Sequence, residues 1–283
     1  MNNKNLILAN GRTLSFHTPL VMGVVNVTPD SFSDGNKFLD TYDAVHHALD
    51  LIKQGADIID IGGESSRPGS QPVSQDKEIL RVIPVIEAIR EVSDIPISID
   101  TYKYQTAQAA LNAGADIIND ISAMTFDDSM ADIVAKYNVP VILMHMKGTP
   151  SDMQKNPVYE NCVEELVDFF YERIAYCTNK GIDKNKIIID PGIGFGKRLM
   201  DNIDIIKNLE TFKKLDSPIL IGTSRKSFIN ALYPGDKPPS KRIGGSIASM
   251  AMALYNGADI VRVHDVYESI EALKVIMAIK ERK

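Results

Sequence analysis

One phrase occurs three times in the chain: Gly55-Ala56-Asp57-Ile58-Ile59-Asp60, Gly114-Ala115-Asp116-Ile117-Ile118-Asn119 and Gly257-Ala258-Asp259-Ile260-Val261-Arg262. Each copy follows a helix-like segment and runs into a short apolar strand. The copies start 59 and then 143 residues apart. At roughly 30 residues or slightly more per strand–helix unit, those gaps hold about two and four units. Such spacing describes a repeating βα array. Side chains alternate across a strand. Ile58 and Asp60, then Ile117, Asn119 and Ile121, then Ile260, Arg262 and His264 therefore share one face, while Ile59, Ile118 and Val261 share the other. The sixth position is polar in every copy. One face is expected to carry chemistry at its tip and the other to pack on helices.

The remaining units follow the same rhythm. Short Ile/Val-rich strands are expected at 20–26, 57–61, 95–99, 116–119, 140–144, 187–189, 218–221 and 259–263. Helices are expected near 40–54, 75–92, 105–113, 128–137, 158–180, 200–209, 243–256 and 267–280. The strands are apolar on both faces, as a parallel sheet covered by helices requires. Eight strands, eight helices and polar residues at nearly every strand end favour an α/β fold of the (β/α)8 TIM-barrel type over an open doubly wound sheet. Residues 5–19 read as an N-terminal β-hairpin turning at Asn10-Gly11, placed across the barrel's lower mouth. With 283 residues and no linker or low-complexity stretch, residues 1–283 are expected to form a single domain.

Charge and cysteine usage narrow the function. A net charge of −6 argues against a general nucleic-acid surface, yet leaves room for a few cations in one cleft. No apolar run approaches the roughly 20 residues of a membrane span. The polar start Met1-Asn2-Asn3-Lys4-Asn5 is no signal peptide, so a cytoplasmic protein is expected. Cys162 and Cys177 fall in one predicted helix, 15 residues apart. At about 1.5 Å rise per residue that is roughly 22 Å, beyond a disulfide's reach. No His/Cys/carboxylate set has zinc-ligand spacing.

In a barrel of this kind the active site lies at the C-terminal ends of the strands. Those ends carry Asn26, Gly62-Gly63-Glu64, Asp100, Asn119, His145, Asp190, Thr223 with Arg225 and Lys226, and Arg262 with His264. Eight separate places offering a polar group to one mouth make the strongest physical case for an enzyme. Three loops add to it. Residues 26–36 form a long polar loop around Phe32, read either as a lid or as a solvated connection. Ser65-Ser66-Arg67-Pro68-Gly69 sets hydroxyls beside a guanidinium, which suits phosphate or carboxylate. Asp190-Pro191-Gly192-Ile193-Gly194-Phe195-Gly196-Lys197 fits neither nucleotide-loop pattern, and its glycines are expected to keep the backbone low beside a flat ligand. Asp100 and Asp190 fit helix N-caps as well as ligand acceptors. Lys226 fits a hydrogen-bond donor or a Schiff-base lysine. His145 reads as a neutral supporting group, His17, His46 and His47 as surface or packing residues, and Met22, Met124, Met144 and Met146 as core filler.

Assembled, these residues resemble the dihydropteroate synthase family, pterin-binding enzymes of the folate pathway that sulfonamides inhibit. The resemblance covers about residues 20–280 and rests on MGVVNVTPDSFSDG, DIGGESSRPG, SIDT, INDIS, MHMKGTPSDMQ, DPGIGFGK, GTSRKSF and RVHDV in the family's order. Asn36 departs from a glycine common in the family, and Ser66 replaces a frequent Thr while keeping the hydroxyl. The resemblance implies a transferase that fuses 6-hydroxymethyl-7,8-dihydropterin diphosphate with 4-aminobenzoate and releases pyrophosphate.

It further implies that Asp190 accepts paired donors on the pterin edge, with Asp100, Asn119 and Lys226 on other ring atoms and Ile121, Met144 and Phe195 as apolar walls. Ser66, Arg67, Arg262 and His264 would hold the diphosphate. Asn26 would supply an amide oxygen to Mg²⁺, which needs only one or two protein ligands when it leans on phosphates and water. Thr28, Pro29, Phe32, Arg67, Pro68 and Ser227 would frame 4-aminobenzoate. Ser66, Arg67, Lys226, Arg262 and His264 then form the catalytic set, stabilising charge in a dissociative substitution. For Arg262 the competing role is a structural ion pair with Asp60 at the matching repeat position. A pterin-dependent methyltransferase using methyltetrahydrofolate, and a non-catalytic pterin-binding subunit, are the other readings. A homodimer with its interface on helices away from the catalytic mouth is also implied.

Overall fold

In the computed structural model, which describes residues 5–28, 37–233, 235 and 237–281 (the backbone alone at 37–40 and 281), each copy of the repeated phrase makes the same joint. Gly55, Gly114 and Gly257 stand at φ of +103°, +112° and +104°. That left-handed conformation ends a helix, and glycine enters it without a Cβ clash. The Ala56, Ala115 and Ala258 amides then donate back to the carbonyls of Leu51, Ala110 and Ala253 (3.1, 2.9 and 3.0 Å), completing a Schellman turn. The aspartate at the third position has its own task. Oδ2 of Asp57, Asp116 and Asp259 accepts the backbone N–H of Val21, Ile97 and Ile219 at 2.8, 3.0 and 2.8 Å. Each carboxylate thus stitches the start of one strand to its neighbour, satisfying an amide that the ladder leaves open.

The strands so joined close into a ring. An antiparallel hairpin, β1 (Asn5–Ile7) and β2 (Thr13–Ser15), precedes eight parallel strands: β3 (Leu20–Asn26), β4 (Ile58–Gly62), β5 (Ile97–Asp100), β6 (Ile117–Asp120), β7 (Val141–Met144), β8 (Ile187–Asp190), β9 (Leu220–Ile221) and β10 (Ile260–Val263). They pair in the order β8-β7-β6-β5-β4-β3-β10-β9, and a parallel bridge from Ile189 to Ile219 closes the barrel. The limits of the eight parallel strands fall within two residues of those read from the sequence at every end.

Alternation then divides the side chains. Val21, Ile59, Ile97, Ile118, Val141, Ile187, Ile221 and Val261 point outward into the core shared with the helices. Met22, Ile58, Ile117, Ile142, Ile188, Leu220 and Ile260 point inward, where Leu6 and Leu8 of the hairpin segment join them. The turn has Gly11 at φ +79°, and the Leu8 amide donates to Arg12 O at 2.9 Å. The hairpin therefore plugs the lower mouth. Asn10, Arg12 and Arg90 gather on Asp116 there, Arg12 at 2.9 Å and Asn10 at 3.0 Å.

The helices are α1 (Lys37–Gln54), α2 (Gln75–Arg90), α3 (Tyr104–Ala113), α4 (Met130–Tyr137), α5 (Cys162–Asn179), α6 (Leu199–Lys207), α7 (Ser227–Ala231), α8 (Ile243–Tyr255) and α9 (Val266–Glu281). Two differ from the sequence reading. The helix expected from 158 starts at Cys162, because the Asn161 side chain accepts the Glu164 amide as its N-cap. The short α7 was not anticipated, being too brief to show a helical period. Cys162 and Cys177 lie at either end of α5, both buried and free. Among the described residues no helix is long and apolar enough to cross a membrane.

Candidate active site

Above the apolar plug the inward-facing side chains become polar, and the barrel opens into a cleft of about 710 Å³. Asn26, Thr28, Ser66, Arg67, Pro68, Asp100, Asn119, Ile121, Met144, Asp190, Phe195, Lys226, Ser227, Arg262 and His264 all line it. Pro29, Phe32 and the rest of the loop through Asn36 lie outside the described residues.

The sixth positions of the three repeats meet at the floor. Asp60 Oδ2 accepts from Arg262 Nε at 2.6 Å and from Asn119 Nδ2 at 3.2 Å, and Arg262 Nη2 donates to Asp100 Oδ2 at 2.7 Å. The ion pair weighed as a competing role for Arg262 is therefore present. It does not exhaust the side chain, since a guanidinium has five N–H groups and two are used here. Burial would lower the Arg262 pKa, but Asp60 and Asp100 outweigh it and raise the value, so the cation persists. Asp100 is raised to about 7, burial prevailing over Arg262. Asp190 is raised too, by burial, against the Gly192 amide and then Lys226. Its Oδ1 accepts from that amide at 2.8 Å. Neither aspartate caps a helix: the residues before α3 and α6 are Lys103 and Arg198.

Lys226 opens α7 with its Nζ 4.0 Å from the Phe195 ring centre, and burial lowers its pKa to about 8. Phe195 joins Ile121, Met144 and Met153 in a separate apolar cluster, a wall suited to a flat ring. Behind it, Lys197 Nζ donates to the carbonyls of Phe195 and His145 (3.1 and 3.2 Å) and lies 3.0 Å from His145 Nδ1. His145 is buried and neutral, its pKa pushed down to about 2 by burial and then by Lys197.

Several expectations need correction. Glu64 does not line the cleft, although it follows a strand; His145, read as a neutral supporting group, lies behind the wall as such a group. Glu64 turns to Tyr102 Oη, the Val73 amide and Lys103, tethering the 65–74 loop from outside. Thr223 is buried and does not line the cleft either. Two glycines of the 190–197 loop serve packing against the segment 145–147. A Cβ at Gly192 would stand 2.1 Å from His145 O and one at Gly196 2.3 Å from Lys147 O, so the loop lies flat on residues 145–147. The third, Gly194, lines the cleft. His47, read as a surface residue, stands exposed on α1 at the cleft edge with Asp43. Ser224, Asp43 and Arg242 were missed as contributors, whereas Asp60 was read as facing the site and as a partner for Arg262. Nothing in the sequence marks the three that were missed.

A family model for "Pterin binding enzyme" matches residues 22–264. The chain is 44% identical over 272 residues to the dihydropteroate synthase of Escherichia coli K12, covering 96% of this chain and 95% of that one. The structure of Xanthomonas albilineans dihydropteroate synthase with 4-aminobenzoic acid superposes at a TM-score of 0.92 and 43% identity, over the full length of both chains. The same enzyme with 7,8-dihydropteroate gives 0.87 and 41%, over 97% of this chain and 98% of that chain. This chain belongs to the pterin-binding enzyme family, among the dihydropteroate synthases.

Proposed function

We propose that this protein is a cytoplasmic dihydropteroate synthase, joining 6-hydroxymethyl-7,8-dihydropterin diphosphate to 4-aminobenzoate with release of pyrophosphate. The observation that carries this reading is the meeting of two recognition chemistries in one cleft. The acceptors Asp190, buried, and Asp100, partly exposed, suit the N–H edge of a pterin, and the cations Arg67 and Arg262 suit a diphosphate. A pterin-dependent methyltransferase needs only the first.

The reaction follows from that division. The carbon–oxygen bond at the exocyclic methylene breaks and its electron pair leaves with pyrophosphate. The electron-rich pterin delocalises the positive charge left behind. The lone pair of the arylamine then forms the carbon–nitrogen bond, and the amine proton passes to solvent. Arg262 and the neutral His264 donate to the departing oxygens with Ser66 and Arg67. Lys226 donates to the ring while Asn119, Asp100 and Asp190 fix its plane, and Ile121, Met144 and Phe195 exclude water from its faces. Thr28, Arg67, Pro68 and Ser227 frame the aminobenzoate. Catalysis is positioning and charge stabilisation, with no dedicated base.

Among the described residues no cluster of three His, Cys, Asp or Glu could hold a metal on its own. Asn26, an exposed amide at the end of β3, fits a Mg²⁺ that rests chiefly on substrate phosphates and water. Such an ion would neutralise part of the diphosphate's charge.

A homodimer is proposed as well. The groove between α6, α7 and α8, about 820 Å³, exposes Leu232, Tyr233 and Met252 beside Ile229, an apolar patch suited to a second copy. Sedimentation velocity tests it: a monomer at every concentration contradicts it. The function itself is tested by pyrophosphate release from the pterin diphosphate with and without 4-aminobenzoate. Release that requires 4-aminobenzoate is expected. Methyl transfer from methyltetrahydrofolate without such release would favour the methyltransferase, and pterin binding without either reaction the non-catalytic subunit.

A further inference from the structure

Arg225 has φ +59° and is, apart from glycine, the one described residue lining the cleft with a left-handed backbone. A residue with a Cβ keeps that conformation only where its surroundings over-determine it. Here they do. The Arg225 amide donates to Ser246 Oγ at 2.9 Å, and its carbonyl accepts from Arg242 Nη1 at 3.0 Å. Its guanidinium forms a two-pronged pair with Asp265, Nε to Oδ2 at 3.1 Å and Nη2 to Oδ1 at 2.5 Å.

A second tie runs alongside. Ser224 Oγ accepts the His264 backbone N–H at 3.2 Å and lies 3.0 Å from His264 Nδ1. Burial keeps His264 neutral, with its pKa lowered to about 3. Ser224 Oγ therefore holds both the backbone and the ring of His264. Successive residues, Ser224-Arg225 on one loop and His264-Asp265 on the next, are thus paired rung by rung. Immediately beyond Arg225 comes Lys226, and immediately before His264 on the same strand face lies Arg262.

We propose that Arg225 is a positioning residue whose ion pair with Asp265 locks the β9–α7 loop to the β10–α9 loop and so sets Lys226 against His264 across the cleft. The inference rests on the dihydropteroate synthase reading: one loop holds the pterin, the other the leaving diphosphate, and the latch fixes their separation.

The test uses the full-length protein and four variants: Arg225→Asp, Asp265→Arg, their combination, and the near-isosteric Asp265→Asn. Asp tolerates a left-handed backbone better than most residues, so the exchange probes the ion pair and spares the turn. Each single reversal is expected to lower kcat for pyrophosphate release about 10- to 100-fold, as small misplacements of reacting groups do, with KM for 4-aminobenzoate little changed. Asp265→Asn should fall in the same direction by less, and the combined exchange should regain most of the loss. A merely structural role would lower the melting midpoint and leave kcat per folded molecule alone. Single variants within about twofold of the parent, or an exchange as slow as the slower single variant, overturn the proposal. Should the parent itself release no pyrophosphate, the synthase reading fails separately. The latch is then read by calorimetry with inorganic pyrophosphate and Mg²⁺. Loss of affinity in the single variants and its recovery in the exchange support it; unchanged affinity overturns it.

Discussion

Asp57 and Asp60 are three residues apart in one copy of the repeat, yet they serve opposite ends of the barrel. Asp57 accepts a backbone amide of the neighbouring strand, as Asp116 and Asp259 do in the other copies. Asp60 accepts from Asn119 and Arg262, which occupy its own position in the other copies. At the closed end charge is spent on main-chain amides and, at Asp116, on the framework side chains Asn10, Arg12 and Arg90, beside the apolar plug of Leu6 and Leu8. At the open end charge meets charge on side chains that also face the cleft. The difference teaches that one repeated phrase can supply both the frame and the site. Carboxylates paired with fixed amides hold strands in register; carboxylates paired with side chains pre-organise groups for a ligand.

The first way to break this comparison is at Arg262. Its replacement by Ala would leave Asp60 and Asp100 without their cation, so it would disturb pterin binding as well as diphosphate binding. Arg262→Lys keeps a charge but loses the two-carboxylate fork. We expect its turnover to fall about 10²–10³-fold, read as steady-state pyrophosphate release, with the melting midpoint changed little. At the closed end Asp116→Ala should do the reverse. It strips a partner from Asn10, Arg12, Arg90 and the Ile97 amide, costing about 3 kcal/mol in urea unfolding while kcat/KM of the folded protein holds. Slowed catalysis with normal stability in that variant would erase the division.

Two smaller effects sharpen it. Asp190→Asn presents an amide N–H where an acceptor is required, and pterin affinity by calorimetry should drop about 10-fold or more. Unchanged binding would remove Asp190 from the pterin edge. The smallest effect is with pH. Burial lowers the Lys226 pKa to about 8, Arg262 adding to the shift while Asp190 and Asp100 oppose it. Below that pH the ammonium is present and donates; as pH rises through about 8 it is lost, so kcat/KM should fall on the alkaline side. In Lys226→Arg the guanidinium keeps its proton, and the alkaline fall should vanish even if the maximal rate is lower. A persisting fall would assign it to another group.

How much of this was legible in the sequence follows from the same physics. Strand positions and the inward or outward sense of Asp60, Asn119 and Arg262 were readable, because period-two alternation binds side-chain direction to sequence number. Beyond the last strand residue that constraint lapses. Glu64 was expected at the mouth and turns away, since the loop backbone sets its direction. Arg225's left-handed turn and the Ser224–His264 tie were likewise hidden, as both depend on partners 21 to 40 residues distant. The third-position aspartates were visible as a repeat, but their task became clear only with the neighbouring strand's amide in place.

The division of labour is tested most directly by a matched pair within one copy: pyrophosphate release by Asp57→Asn and Asp60→Asn, normalised to folded protein. Both changes remove one carboxylate charge and keep the shape. The result predicted is turnover close to the parent's for Asp57→Asn, whose amide oxygen still accepts from Val21, and a loss of about 10-fold or more for Asp60→Asn, whose partner Arg262 loses its anchor. Equal losses in the two variants, or a larger one at Asp57, would contradict it.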